Sequence, residues 1–296
     1  MLRYLFSLLL LLIISSCGYS PAPADAVEEP VETLEKTAEP PQVKTDTTAE
    51  SEPVAMPKSV PAAPELGVDF PEDQLVNLGP TVLTVLCQHK YGCIEEELYP
   101  LGWSPDGKFA FMLMKANEAV QNTTIHFIVQ DMDSDEILEK QTFKASEEPG
   151  WTEATDNYSA LGVWRKQETV YQDLIEKYQI RLGAGTDFLV LPMLEEQHSI
   201  SFATQDKMRQ NALFGIQEVD QHRLLANTAE RQSKTICRQT MWKYDQVLAS
   251  QPLGGFMSPF EDRLAVLDGL ERRGFEGPPN VLRLQLVGCD LKKGFE

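Results

Sequence analysis

Between residues 18 and 65 this chain cannot build a core, and that confines its fold to the residues beyond. Nine of the nineteen prolines fall in this stretch: Pro21, Pro23, Pro30, Pro40, Pro41, Pro53, Pro57, Pro61 and Pro64. No aromatic residue follows Tyr19 within it, and ten acidic residues stand against Lys36, Lys44 and Lys58, a net of −7. Such a composition buries too little apolar surface to offset the entropy of ordering itself. Proline biases it toward extended conformations and like charges stretch it further, so its 48 residues reach up to roughly 150 Å at about 3.1 Å each. We read residues 17–65 as a disordered tether. The foldable part is residues 66–296, long enough to bury a sizeable core as one domain.

The seventeen residues at the start have a different grammar. Met1-Leu2-Arg3 is basic, residues 4–14 are apolar, and Ser15-Ser16-Cys17 are small. An apolar run of about eleven residues is shorter than the roughly 20 that a membrane-crossing helix requires. It reads as a signal peptide spanning residues 1–16. Ile14-Ser15-Ser16-Cys17 resembles the lipobox of bacterial lipoproteins, which implies that Cys17 is the lipidated residue and that the membrane is a partner through its acyl chains. Two or three chains would hold stably where one holds marginally. Gly18 after the cysteine leans toward the outer membrane, as glycine does in the lipoprotein sorting rule. The resemblance therefore places the chain in a bacterial cell envelope, lipid-anchored.

Charge narrows the partners. With −19 for the whole chain, −7 for the tether and +1 for the leader, the remaining domain carries −13. An acidic surface of that size argues against nucleic acid and against adsorption to anionic lipid.

Four further cysteines remain, an even number that suits disulfides in an exported protein. Cys87 and Cys93 enclose only Gln88-His89-Lys90-Tyr91-Gly92 and stay close in any conformation, so we expect them to pair. Cys237 and Cys289 would then pair by default. The competing reading of the first pair is a metal site made by Cys87, His89 and Cys93.

Along the domain, Trp103-Ser104-Pro105-Asp106-Gly107-Lys108 is a tight-turn signal leading into strand-like residues through Met114. Residues 124–130 alternate Ile125, Phe127 and Val129 on one face, residues 131–136 turn the chain, and 137–143 read as a third strand. Residues 158–178 carry apolar side chains at Tyr158, Leu161, Trp164, Tyr171, Leu174, Ile175 and Tyr178, one stripe along a helix of up to six turns. Asn157 would cap its start, and Gly183 lies beyond its end. Strand-like runs come next at 188–191, 200–203, 213–219, 235–242 and 246–249. Met257-Ser258-Pro259-Phe260-Glu261-Asp262-Arg263 then repeats the Ser104-Pro105 turn with a small insertion, and residues 281–287 form its second strand. We expect two related hairpin units, at about 101–143 and 255–291.

The segment Trp103-Ser104-Pro105-Asp106-Gly107-Lys108-Phe109-Ala110-Phe111 resembles one blade of TolB- and WD40-type β-propellers. With Ile128-Val129-Gln130-Asp131, Ser258-Pro259-Phe260-Glu261 and Arg273-Gly274-Phe275-Glu276-Gly277-Pro278-Pro279, the domain also resembles uncharacterised bacterial secreted proteins and lipoproteins. That resemblance implies a shared fold and export, and it carries no catalytic residue across. The expected fold is a β-rich α+β arrangement of antiparallel, blade-like sheets (a partial propeller) with one long amphipathic helix.

Candidate chemistry is sparse. No H-E-x-x-H, G-x-S-x-G, P-loop or G-x-G-x-x-G is present, and no cofactor is expected. Asp131-Met132-Asp133-Ser134-Asp135 imitates the start of a calcium loop, but Glu136 and Thr142 occupy the positions that need glycine and glutamate. We read it as a hairpin turn, with no metal. His126, inside a strand, reads as structural. Arg272, Arg273, Glu276, Gly277 and Pro278 form a candidate binding loop. These observations favour an envelope-anchored binding or structural module with an envelope protein or ligand as partner. Two alternatives are a carboxylate-dependent glycan hydrolase using Glu261 and Glu276, and a metal-binding structural module.

Overall fold

Three antiparallel-rich sheets stack face to face in the computed structural model, which describes residues 75–79, 82–115, 122–152, 158–191 and 199–296. The signal peptide, Cys17, the tether and Asn157 lie outside the described residues. The front sheet begins with β2 (Glu97–Trp103), β3 (Lys108–Lys115), β4 (Thr124–Asp131) and β5 (Ile137–Lys144), a meander with β6 (Arg181–Leu182) added beside β2. The middle sheet runs in the order β1 (Cys93–Glu95), β14 (Asn280–Asp290), β13 (Arg263–Arg272), β12 (Val247–Met257) and β7 (Leu189–Val190). In the back sheet, β10 (Ile216–Thr228) pairs with β11 (Ser233–Thr240), β8 (Ile200–Thr204) and β9 (Lys207–Asn211). All pairings are antiparallel except β1 on β14, which is parallel.

Residue alternation explains the stacking. Phe109, Phe111 and Leu113 of β3, with Ile128 of β4, face Ala265 and Leu267 of β13 and Leu282, Leu284 and Leu286 of β14. Phe109 stacks on Phe256 of β12 with ring centroids 5.2 Å apart, and tilts against Trp103 at 4.9 Å. On the other face of the middle sheet, Leu264, Val266, Val287 and Cys289 meet Ile200, Phe202, Leu224, Ala226 and Cys237. Nine of the ten β13 residues are buried, because apolar layers cover both sides of that strand.

The Ser-Pro repeat corresponds to two equivalent turns. The Ser104 N–H donates to the Lys108 carbonyl at 2.8 Å, and the Ser258 N–H donates to the Arg263 carbonyl at 2.9 Å, one residue further on. Both turns lie at the same end, where a Cβ on Gly107 would come within 2.6 Å of Glu261 Oε1. Arg263 joins them to the β4–β5 turn, donating to the Met132 carbonyl and to Asp133, each at 2.8 Å. Two glycines are dictated by contact. Gly102, at φ +146° and beside a bulge in β2, would put a Cβ 2.1 Å from the Arg181 carbonyl. Gly288 would put one 1.9 Å from that of Met132.

The long helix expected over 158–178 is two helices, α1 (Ala160–Lys166) and α2 (Glu168–Lys177). Gln167 leaves helical geometry at φ −107°, ψ 13°, and its N–H is shared between the Val163 and Trp164 carbonyls. The apolar stripe survives the break: Tyr171 stacks on Phe127 at 4.6 Å and meets Trp164 at 5.6 Å, covering the outer face of the front sheet. The start is capped by Ser159, whose Oγ accepts the Gly162 N–H at 3.1 Å. Gly183 is no helix cap, because Gln179 already turns the chain at φ +54°. Gly183 instead donates its N–H to the Leu101 carbonyl.

Cys87 and Cys93 are disulfide-bonded with their Cα atoms 5.3 Å apart. The default bridge between Cys237 and Cys289 is not formed, since Cys289 keeps a free, buried thiol. Its sulfur lies 3.8 Å from the Asp290 carbonyl, and burial pushes its pKa up to about 11.

A cleft between the sheets as candidate functional site

Between the front and middle sheets lies a cleft of about 150 Å³, reaching from Lys115, at the end of β3 remote from the Ser-Pro turns, to Asp135 and Ile137 at the β4–β5 turn. Its floor is apolar, made by Phe111, Leu113 and Ile128 on one side and Leu284 and Leu286 on the other, with Leu270 reached around the β14 edge. The antiparallel register creates its polar wall. Leu113 pairs with His126 and Lys115 with Thr124, so Lys115 and His126 sit beside the apolar floor of the same face. Glu96, between β1 and β2, also lines it, as do Arg272 and Arg283 from the opposite face of the middle sheet around the β14 edge, and Gln239, Met241 and Asp245 complete the lining.

Several of these groups are electrostatically strained by their setting. His126 is 5% exposed, and its Nδ1 lies 2.9 Å from Thr142 Oγ1. Burial, reinforced by Lys115, Lys140 and Lys144, drives its pKa down to about 3, so the imidazole is neutral. Its Nε2 is buried without a hydrogen-bond partner, as is Gln239 Oε1. The expectation of a satisfied structural histidine is met at one nitrogen only. Burial also lowers the pKa of Lys115, which forms no ion pair among the described residues. Glu96 is raised by burial, although its Oε2 accepts the Leu284 N–H at 3.0 Å.

The candidate loop is only partly at this cleft. Arg272 lines it and is held against Asp245, its Nε donating to the Asp245 carbonyl at 2.6 Å. Arg273 turns away to cover the Phe214 ring at 4.1 Å. Glu276 and Pro278 are exposed at the β13–β14 turn, where Pro278–Pro279 is a cis peptide and Gly277 has φ +111°. The Glu261 and Glu276 carboxylates do not converge. Glu261 belongs to the β12–β13 turn, Glu276 to the β13–β14 turn, and the ten residues of β13 between them span about 33 Å. A glycosidase pair stands within roughly 10 Å. Proximity in the folded chain therefore gives no support to that alternative.

Two other polar clusters are invisible in the linear sequence. Glu271 is buried at the foot of the disulfide loop. Its carboxylate accepts the Cys87 N–H at 2.8 Å and the Asn280 side-chain amide at 2.6 Å, and meets His89 Nε2 at 2.9 Å. Sulfur and carboxylate oxygen atoms of Cys87, Cys93 and Glu271 lie within 4.8 Å of one another. Both sulfurs are committed to the disulfide, so as found this cluster pins the loop to β13 and offers no thiolate to a metal. Between the middle and back sheets, His222 is fully buried, with Nδ1 2.8 Å from Asp206 and Nε2 3.0 Å from Asp268. Ser250 Oγ donates to the second Asp206 oxygen at 2.5 Å, and Gln285 donates to Asp268 at 2.8 Å.

The acidic turn at 131–135 behaves as a hairpin turn. Asp131 accepts the N–H groups of Asp133 and Ser134, and Asp133 pairs with Arg263. Asp135, buried at φ +61°, accepts the Gly288 N–H at 2.7 Å. Burial raises the Asp135 pKa to about 6, so the folded chain binds this proton more tightly than the unfolded chain does. Its contribution to stability is present below the ordinary carboxylate pKa and is lost as pH rises through about 6. Asp135→Asn keeps an acceptor for Gly288 and should remove this slope. The check is denaturant midpoints at pH 4.5 and pH 7, where the parent loses stability relative to the variant.

Comparison of the chain with protein-family models, with curated proteins and with solved structures found no match. Among the described residues, no helix is long and apolar enough to cross a membrane.

Proposed function

We propose that this chain is an exported, lipid-anchored envelope protein whose folded part is a binding module, with the cleft between the front and middle sheets as its ligand site. The observation that carries the binding reading is the cleft wall, where His126 and Gln239 line the cavity and each carries a buried polar atom without a partner, Nε2 and Oε1. Buried polar groups are almost always satisfied, so such a pair supports a ligand that completes them. The leader, the small residues before Cys17 and the proline-rich acidic stretch support export and anchoring. The partial-propeller reading draws its support from the two meanders, β2–β5 and β12–β14, which stack like neighbouring blades.

Anchoring and binding are tested separately. The mature chain isolated from bacterial membranes should begin at Cys17 and carry the added mass of acyl chains, and Cys17→Ser should release it from the membrane fraction. Native mass spectrometry of the released chain should show a co-purifying small molecule. Ile137→Trp, at an exposed residue of the cleft mouth, should expel it. An unacylated N-terminus overturns the anchoring half. A bare chain that also binds no added small molecule overturns the binding half.

A further inference from the structure

We propose that the ligand of the cleft is a small monocarboxylate, its charged group held between Lys115 and His126 and its apolar body lying on Phe111, Leu113 and Leu286. This inference rests on the reading of the cleft as a binding site. Size sets the first limit, because a cavity of about 150 Å³ matches a benzene-sized group. The local charge sets the second. In a domain that carries −13, the cleft is lined by four cations, Lys115, Lys140, Arg272 and Arg283, against three carboxylates.

Those carboxylates are already engaged. Asp135 accepts the Gly288 N–H, Glu96 accepts that of Leu284, and Asp245 lies 3.6 Å from Arg272 and 4.0 Å from Arg283. Lys115 is left as a half-buried ammonium with no ion-pair partner among the described residues, a costly state that a single anionic charge would relieve. The neutral imidazole complements it. On this reading the Thr142 hydroxyl is the donor to Nδ1, 2.9 Å away, so that the proton sits on Nε2, a buried atom without a partner on a residue that lines the cavity. Rotation of the Gln239 amide by 180° would bring its NH₂ to bear on the same anion. A neutral ligand would leave Lys115 without an ion pair, and a cationic one would be repelled by Lys115 and Lys140 in the lining.

The test uses the purified full chain and three six-carbon probes that differ only in charge: hexanoate, hexanol and hexylammonium. Calorimetric titration should give saturable hexanoate binding at least about tenfold tighter than hexanol, the ratio expected of one charge-assisted hydrogen bond. Hexylammonium should not bind. Hexanoate should shift the imidazole ¹⁵N resonances of His126, and those of the free chain should report a proton on Nε2. Lys115→Met, which keeps the side-chain stem, should reduce the hexanoate preference to less than about twofold. Equal binding of hexanol and hexanoate, or a preference that survives Lys115→Met, overturns the carboxylate inference and leaves the binding cleft standing. Failure of all three probes to bind overturns both.

Discussion

Replacing His222 by alanine should cost about 3–5 kcal/mol of folding stability, the largest effect expected of any polar substitution in this chain. The reason is what the imidazole leaves behind. Asp268 is fully buried, one of its oxygens has no partner, and Asp206 relies on His222 and Ser250. Without the histidine, two carboxylates face each other across the interface of the middle and back sheets with no cation between them. Asp268→Asn should be milder, because it removes a charge and keeps one Asp–His pair. The same cluster makes a signed prediction for pH. Burial alone would disfavour the charged imidazolium, but hydrogen bonds and charge from Asp206 and Asp268 outweigh it and raise the His222 pKa to about 9. The folded pKa lies above the ordinary 6.5, so this stabilisation is fully present below pH 6.5 and is lost as pH rises through about 9. Guanidinium unfolding at pH 6 and pH 9 should show the parent losing stability over that interval. The His222→Ala curve should lack this component.

The second large effect is apolar. Trp103 is fully buried at the end of β2, packed on Phe109 and against the backbone around Gly185. Trp103→Ala should cost about 3–5 kcal/mol through the cavity it opens. Trp103→Phe should cost less than about 1.5 kcal/mol, because the indole Nε1 makes no hydrogen bond that phenylalanine would forfeit. Thermal unfolding of the two variants checks this. Comparable losses in both would show that the indole nitrogen has a role the geometry does not supply.

How far the fold is legible in the sequence depends on how local each feature is. The Ser104-Pro105-Asp106-Gly107 and Ser258-Pro259 turns are specified by adjacent residues, so both hairpins and the strands beside them can be read directly. So can the short-range pairing of Cys87 with Cys93. The helical stripe is legible as a face. The interruption at Gln167 is not, because a one-residue departure keeps the apolar spacing intact. The back sheet is poorly legible. β10 runs thirteen residues and carries Gln217, Glu218, Asp220, Gln221 and His222, polar groups that obscure an apolar alternation, while β9 has almost none. The Cys237–Cys289 expectation fails because pairing by elimination assumes that every remaining thiol is oxidised with the other, whereas the Cys289 thiol is free. The cleft and the His222 cluster are beyond reach for another reason. Each brings together residues from distant strands, such as His126 with Gln239, Glu96 with Leu284, or His222 with Asp206 and Asp268. Scattered histidines and single lysines leave no motif.

The placement of β14 has a consequence for how the chain acquires its structure. This strand comes last among those described, yet it sits inside the middle sheet, between β1 and β13. It supplies Leu282, Leu284 and Leu286 to one apolar layer and Val287 and Cys289 to the other. A chain delivered from its N-terminus, whether from a ribosome or through a membrane pore, therefore has every other strand available while both layers are still unsealed. The front meander with its two helices can form early from neighbouring contacts, but the stack closes only when the final strand slots between partners made long before. Partly delivered chains would stay loose and threadable until that moment, and loss of a few residues from β14 would open the whole domain instead of fraying one edge.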